Sequence, residues 1–571
     1  MAQASAQASA QAPPCGHLVE SACTLPLRQM PAATALCTLA AALVAAAATE
    51  PDAALPSALA ADAECASAGE GACSVSALQL SARRLQGPAG AAGAASHTAG
   101  VSGATLKPDP GTPGWLMERL FHSEPVWCPW QAPGSEPDDD CKARFRRTKG
   151  YRDAIATCRR PLAFTERSIG HRGAALVAPE ETIESWQIGA ASGAGYLECD
   201  VSVTADLDFI CRHSNCDLQY TTDLVENHPD LNAKCSKPWV PGSGVPATCC
   251  TFDFTMEELA RLCAKMESKF NASAESHSGY LLGPPGFRTG TLAEARCSRL
   301  VPYREFLRLL KRSGYHAIPE LKDTWMNRTQ DFLASKGASV YELADRAAGM
   351  LREEGFRPWP KPGEPELPPG TLKGIMQTFD HRIASHWKTE YPQLSVEYMW
   401  ESDQMDSAEG VLCQPGNGDL TGDVGGDCGG KALIRRLVDL GVDLFSPAIP
   451  VLVASGPNHT VVPSRTAAWL KELQVPHIGS WSLERQGCDA GPRVTPELAG
   501  QLLAPCGSPD AWYYAPVENR STFQHVDVLE VLDVLFRGVG LTGLFSDFPA
   551  TVSTYVNCIL EPQSGEPVPL Q

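Results

Sequence analysis

Basic residues are the minority in this chain: 47 Lys and Arg stand against 66 Asp and Glu, a formal charge of −19. That balance argues against a nucleic-acid binder, which needs a basic footprint, and it leaves room for a cation site. Long apolar runs are also missing. Apart from one N-terminal stretch, nothing approaches the roughly twenty residues of a membrane span, so the body carries no integral membrane domain. No G-x-S-x-G elbow occurs, which leaves a serine hydrolase unsupported. Gly425, Gly430 and Lys431 fit part of a P-loop, but Ala432 stands where a Mg²⁺-binding Ser or Thr belongs. Zinc has little support, since Cys211 and Cys216 bracket His213 without a C-x-x-C pair, and a disulfide or packed thiol suits them better.

Aromatic residues make up 7% of the chain and are scarce before residue 105, where Ala, Gly, Ser and Gln dominate. Such a segment cannot bury enough apolar surface to offset its ordering entropy, which predicts a disordered leader. Within it, Arg28 precedes an apolar run from Ala32 to Ala48, the order of a secretory signal. A plastid presequence, a signal anchor and plain low complexity are the alternatives. The expected division is a targeting segment at 1–50, a linker at 51–105, an extension packing on the main domain at 106–164, that domain at 165–560, and a tail at 561–571.

Cysteine is plentiful. Of 21, sixteen lie from Cys128 to Cys558, an even and dense set that suits an oxidising compartment. Sequons at Asn271, Asn327, Asn458 and Asn519 would carry glycans only in a lumen. Together these point to the secretory pathway or the extracellular space, with a plastid as the alternative. Spacing does not fix the pairing.

From about residue 165 short apolar strands alternate with amphipathic helices. The strand patterns are Ser168–His171, Tyr196–Val203, His316–Lys322, Gly374–Phe379, Val396–Trp400, Leu444–Ile449, His477–Leu483 and Leu541–Ser546. Helical patterns between them include Glu181–Ser192, Tyr303–Arg312, Val340–Glu354, Lys431–Leu440, Thr466–Leu473 and Val526–Phe536. Eight such strands suit a parallel α/β TIM barrel, with a doubly wound sheet as the alternative. Asn215–Ser298, cysteine-rich and with one helical stretch at Met256–Met266, interrupts the alternation after the second strand as an inserted loop.

Chemistry concentrates from Ser168 onward. Glu198 and Asp200 are two apart on a strand, so both carboxylates project to one face, where they repel unless a proton or cation joins them. Cys199 between them points the opposite way and suits a buried thiol. A solvated strand face is the bland reading of the E-x-D pair. Glu320 ends the next strand with Lys322 two residues on, and a barrel would bring both to the same rim as His171, Arg172 and His213. Carboxylates with surplus cations beside them suit Mg²⁺ or Ca²⁺ bridged to an anion such as phosphate.

His171-Arg172-Gly173, Pro179-Glu180-Glu181-Thr182, Glu198-Cys199-Asp200, His213 and Glu320-Leu321-Lys322 resemble the glycerophosphodiester phosphodiesterases. So do Gln377-Thr378-Phe379-Asp380, Trp481 and Phe545-Ser546-Asp547-Phe548-Pro549, in the family's order over about 168 to 555. The resemblance implies a TIM barrel that hydrolyses glycerophosphodiesters, as small-molecule substrates, to sn-glycerol 3-phosphate and an alcohol. It implies Glu198, Asp200 and Glu320 as ligands of Ca²⁺ or Mg²⁺, with His171 and His213 as the acid–base pair, His171 being the expected base. Arg172 and Lys322 would hold the phosphate and Trp481 would flank the substrate. Family members often have Asn where Glu181 stands and Asp where Ser214 follows His213. A phospholipase D-like relative acting on lysophospholipids or sphingomyelin, and a catalytically silent binding barrel, are the competing readings.

Overall fold

The computed structural model describes residues 139–158, 162–284, 297–361, 364–400, 430–456, 460–483, 487–489, 503–505 and 525–562. The expected targeting segment and linker, most of the tail, and the sequons at Asn458 and Asn519 lie outside them.

Eight strands carry the fold: β1 Thr165–Gly170, β2 Ala194–Val203, β3 His316–Leu321, β4 Met376–Thr378, β5 Val396–Trp400, β6 Leu444–Pro447, β7 His477–Leu483 and β8 Gly543–Ser546. Each pairs in parallel with the next, and β1 pairs with both β2 and β8, so the sheet closes on itself. Closure leaves none of the eight barrel strands at a free edge and settles the choice between a barrel and an open sheet in favour of the TIM barrel. Ile169, Tyr196, Ile318, Ile375, Leu444 and Phe545 fill the interior as one buried cluster.

The helices α1 Ile183–Ala191, α2 Tyr303–Ser313, α3 Val340–Glu353, α4 His381–Glu390, α5 Gly430–Asp439, α6 Arg465–Glu472, α7 His525–Asp533 and α8 Ala550–Tyr555 follow strands in turn. α2 shows why such segments form: Tyr303, Phe306, Leu307 and Leu310 recur at helical spacing and are buried, while Gly314 at φ 79° ends the helix. α3 opens with a reciprocal capping box between Ser339 and Glu342.

A further helix, Asp139–Thr157, precedes the barrel, and Cys158 just beyond it is bonded to Cys558 after α8. The insertion after β2 begins with a short strand, Phe209–Cys211, antiparallel to β2. It has its own core, including Leu218, Leu231, Trp239, Phe254 and Tyr280. Disulfides Cys216–Cys250, Cys235–Cys249 and Cys263–Cys297 cross it. The helix expected over Met256–Met266 stops at Leu259, because Cys263–Ala264 instead pairs as a strand with Ser298–Arg299.

Candidate active site

Parallel register builds the site. Asp200 on β2 lies opposite Glu320 on β3, which lies opposite Gln377 on β4. Neighbouring strands are about 4.8 Å apart, so three inward polar side chains stand side by side at the C-terminal mouth. Glu198, two residues earlier on β2, shares their face. One carboxylate oxygen from each of Glu198, Asp200 and Glu320 falls within 4.8 Å of the others, and all three residues are buried. Gln377 Nε2 reaches Glu198 Oε1 at 3.5 Å.

Two cations flank this cluster. Lys322 Nζ lies 2.7 Å from Glu320 and 3.5 Å from Asp200. Arg172 Nε lies 3.2 Å from Asp200, its Nη1 donates to Glu180 at 2.9 Å, and its backbone N–H donates to Glu198 at 2.8 Å. The loop that delivers Arg172 is held against α1: Ser185 Oγ donates to the Arg172 carbonyl and accepts from Ala174 N–H, while Thr182 caps the helix by accepting from Ser185 N–H. Gly173 has φ 93°, and a Cβ there would come within 2.4 Å of the Ser185 backbone, so the motif's glycine is required twice over. Arg172, Glu181 and Asp323 also have positive φ, at 53°, 62° and 56°. Strain of this kind costs about 1–3 kcal/mol per residue and persists where surrounding contacts over-determine it.

Burial sets the electrostatics. It pushes Glu198 well above the ordinary carboxyl range, helped by Asp200, and pushes Glu320 up in spite of Lys322. For Asp200 burial acts the same way, but Lys322 and Arg172 outweigh it and hold that carboxylate below its ordinary range. Asp200 therefore carries the firmest negative charge of the three, and a side-chain hydrogen bond with Glu181 lowers it further. Three buried carboxylates with oxygens this close together are the donor set a hard divalent cation takes, so the residues fit such an ion.

Each histidine lies beside a carboxylate that Arg172 also engages. His171, just past β1, has Nε2 3.8 Å from Glu198 and Nδ1 2.5 Å from Asp547. His213, half-buried, groups with Glu180 and Asp217, one ligand atom of each lying within 4.8 Å of the others. Arg172 bridges the two halves through Asp200 and Glu180. Burial lifts the Asp217 carboxyl to about 7 despite the nearby Arg212. Trp481 follows on β7, half-buried and edge-on to Phe379 at 5.2 Å, with its indole N–H donating to the Ser446 carbonyl. Phe379 in turn packs against Trp325, and Lys322 Nζ lies 5.6 Å from its ring, so an aromatic wall adjoins the carboxylates.

A model of the glycerophosphoryl diester phosphodiesterase family matches residues 171–332, a span that starts at His171 and ends beyond Lys322. Residues 171–332 carry that family's domain. It is a family of phosphoric diester hydrolases. An extracellular protein of Arthroderma benhamiae is 26% identical over 293 residues, 51% of this chain and 98% of the relative. Glycerophosphodiester phosphodiesterases of Treponema pallidum and Haemophilus influenzae are 31% and 24% identical over 131 and 236 residues, or 22% and 40% of this chain. The matches span 33% and 54% of those two enzymes. Among solved structures, an Oleispira antarctica phosphodiesterase in complex with the product sn-glycerol-3-phosphate is 13% identical, with 68% of this chain and 95% of the other covered and a TM-score of 0.36.

The family motifs thus account for every residue of the cluster, and the structure adds partners that the motifs leave silent. Cys199 is no free thiol: it is bonded to Cys211, which ties the strand bearing Glu198 and Asp200 to the arm carrying Arg212 and His213. Glu181, where the family often has Asn, is buried and accepts from Asp200 N–H at 3.2 Å. Ser214, in place of the family's frequent Asp, donates to Asp323 at 2.8 Å, and Asn215 N–H donates to the same oxygen at 2.7 Å. That anchors the His213 loop on the segment after β3. A separate cavity of about 270 Å³, lined by Tyr196, Trp359 and His477 among others, lies at the opposite end of the barrel and takes no part in this site.

Proposed function

We propose that this chain is a divalent-cation-dependent glycerophosphodiester phosphodiesterase, releasing sn-glycerol 3-phosphate and an alcohol. The observation carrying the reading is the in-register carboxylate cluster with Arg172 and Lys322 beside it. Carboxylates alone would bind a cation; the added cations suit an anionic ligand bridging to it. Glu198, Asp200 and Glu320 would hold Ca²⁺ or Mg²⁺, which when bound neutralises charge on the phosphoryl oxygens. Arg172 and Lys322 orient the phosphate and oppose its remaining charge. Phosphodiester cleavage also needs one proton removed from the attacking oxygen and one delivered to the leaving oxygen. His171 takes the first role and His213 the second. Trp481 and Phe379 exclude water along one wall.

The five disulfides between described cysteines and the likeness to an extracellular relative support a secretory or extracellular location. Asn271 and Asn327, both exposed, are then open to glycosylation. The test is a panel of glycerophosphodiesters assayed after chelation and with Mg²⁺ or Ca²⁺ restored. Release of glycerol 3-phosphate only with metal present is expected. Turnover unaffected by chelation would remove the cation from the account, and cyclic phosphate accumulating as the end product would favour a phospholipase D-like enzyme.

A further inference from the structure

We infer that Asp547 is the positioning residue that fixes the tautomer and ring orientation of His171, so that His171 presents Nε2 as a proton acceptor. The inference rests on the phosphodiesterase reading above and goes beyond it in assigning a carboxylate outside the cation cluster.

The strands themselves create the pair. Gly170 on β1 lies opposite Ser546 on β8, the two strands whose pairing closes the barrel. The next residue on each is His171 and Asp547, which emerge side by side at the mouth although 376 positions apart in sequence. The backbone holds both. His171 N–H donates to the Ser546 carbonyl at 3.0 Å, Leu176 N–H donates to the Asp547 carbonyl at 3.0 Å, and Asp547 N–H donates to Leu483 at 3.2 Å. The rings of His171 and Phe545 meet edge-on, 6.2 Å between centroids. Asp547 is fully buried and His171 nearly so.

Nδ1 of His171 lies 2.5 Å from Asp547 Oδ1. An ionised carboxylate only accepts, so a neutral imidazole in this pair keeps its proton on Nδ1 and leaves the Nε2 lone pair bare. That bare nitrogen is the one on the Glu198 side, at 3.8 Å. A base must face the reacting group with its lone pair, and Asp547 supplies that orientation from behind. When His171 takes the proton from the attacking hydroxyl, the imidazolium forms against a buried carboxylate already in place. No electron or further reactant enters the step: the hydroxyl O–H bond breaks, an N–H bond forms at Nε2, and Asp547 stays ionised.

Two substitutions separate this role from packing. Asp547→Asn keeps the volume, but its amide donates to Nδ1 and drives the imidazole proton to Nε2; Asp547→Ala removes the partner. Losing the carboxylate of such a pair costs up to about 10⁴-fold in kcat. Both variants should therefore lose about 10²–10⁴-fold in kcat, with KM and Mg²⁺ affinity by calorimetry within about twofold of wild type. A nitrophenyl leaving group should restore neither. An Asn variant within about threefold of wild type, beside a damaged Ala variant, would reduce Asp547 to a packing residue. Should either variant fail to fold, ¹⁵N shifts of His171 in the intact protein decide instead: protonated Nδ1 and bare Nε2 are expected, and the reverse tautomer overturns the inference. Wild-type turnover separates the two readings. If the wild type releases no glycerol 3-phosphate the phosphodiesterase reading falls, whereas an active wild type with an active Asn variant sinks Asp547 alone.

Discussion

Glu397 sits on β5 with both register neighbours, Gln377 and Leu444, on strands whose side chains at that level face the barrel interior. Its side chain is fully buried, and burial, offset in part by the Ser446 hydroxyl, pushes the carboxyl from 4.5 up to about 8. An unfolded Glu397 loses its proton near 4.5 and the folded one keeps it to about 8. Between those values unfolding releases a proton, so stability is fully present below 4.5 and is lost as pH rises towards 8. At about 1.4 kcal/mol per tenfold change, the window is worth about 5 kcal/mol. Glu397→Gln keeps the shape and removes the titration. Denaturant melts of both proteins in chelator, from pH 4.5 to 8.5, should coincide at the acid end and diverge steadily in favour of Gln above it. A difference curve flat across that range would show that Glu397 is solvated or already ionised rather than shielded in the barrel interior.

Other expectations follow from the site and its bracing. Asp200→Asn and Glu320→Gln should lower cation affinity by calorimetry and kcat together, since each removes a formal negative ligand; full activity at unchanged metal concentration would free that residue from the cluster. His213→Ala should lose about 10²–10⁴-fold in kcat and recover much of it on a nitrophenyl ester, whereas His171→Ala should not recover. Cys158–Cys558 closes a separation of 400 residues, worth roughly 5 kcal/mol in chain entropy at the upper end. Cys558→Ser should lower the Tm measurably, and an unchanged Tm would leave that bridge without a stabilising role.

All eight barrel strands were legible as short apolar patterns, with Val396–Trp400 and His477–Leu483 matched at both ends. Parallel strands buried on both faces write themselves as such runs. α4 was not legible: its buried apolar contribution is Ile383, Ala384 and Trp387 amid His, Arg, Lys and Glu, and Asp380 fixes its start by accepting from Arg382 N–H. The carboxylates could be found because E-x-D sets two of them on one face. That Glu320 stands opposite Asp200 is a register fact, which local sequence does not contain. Cys199 misled for a similar reason, since its partner depends on how Phe209–Cys211 folds back onto β2. Asp547 was visible in the last motif, but its partner lies 376 positions away in the sequence, and only closure of the barrel brings them together.

Cleavage of a glycerophosphodiester at this mouth through its carboxylate cluster can be followed by ³¹P NMR of one reaction. Glycerophosphocholine incubated with the wild type and Mg²⁺ or Ca²⁺ should lose its diester resonance to a single phosphomonoester, glycerol 3-phosphate, and should remain intact with Asp200→Asn. A diester unchanged by the folded wild type with either metal, or cleaved equally well by Asp200→Asn, would rule out cleavage through this cluster.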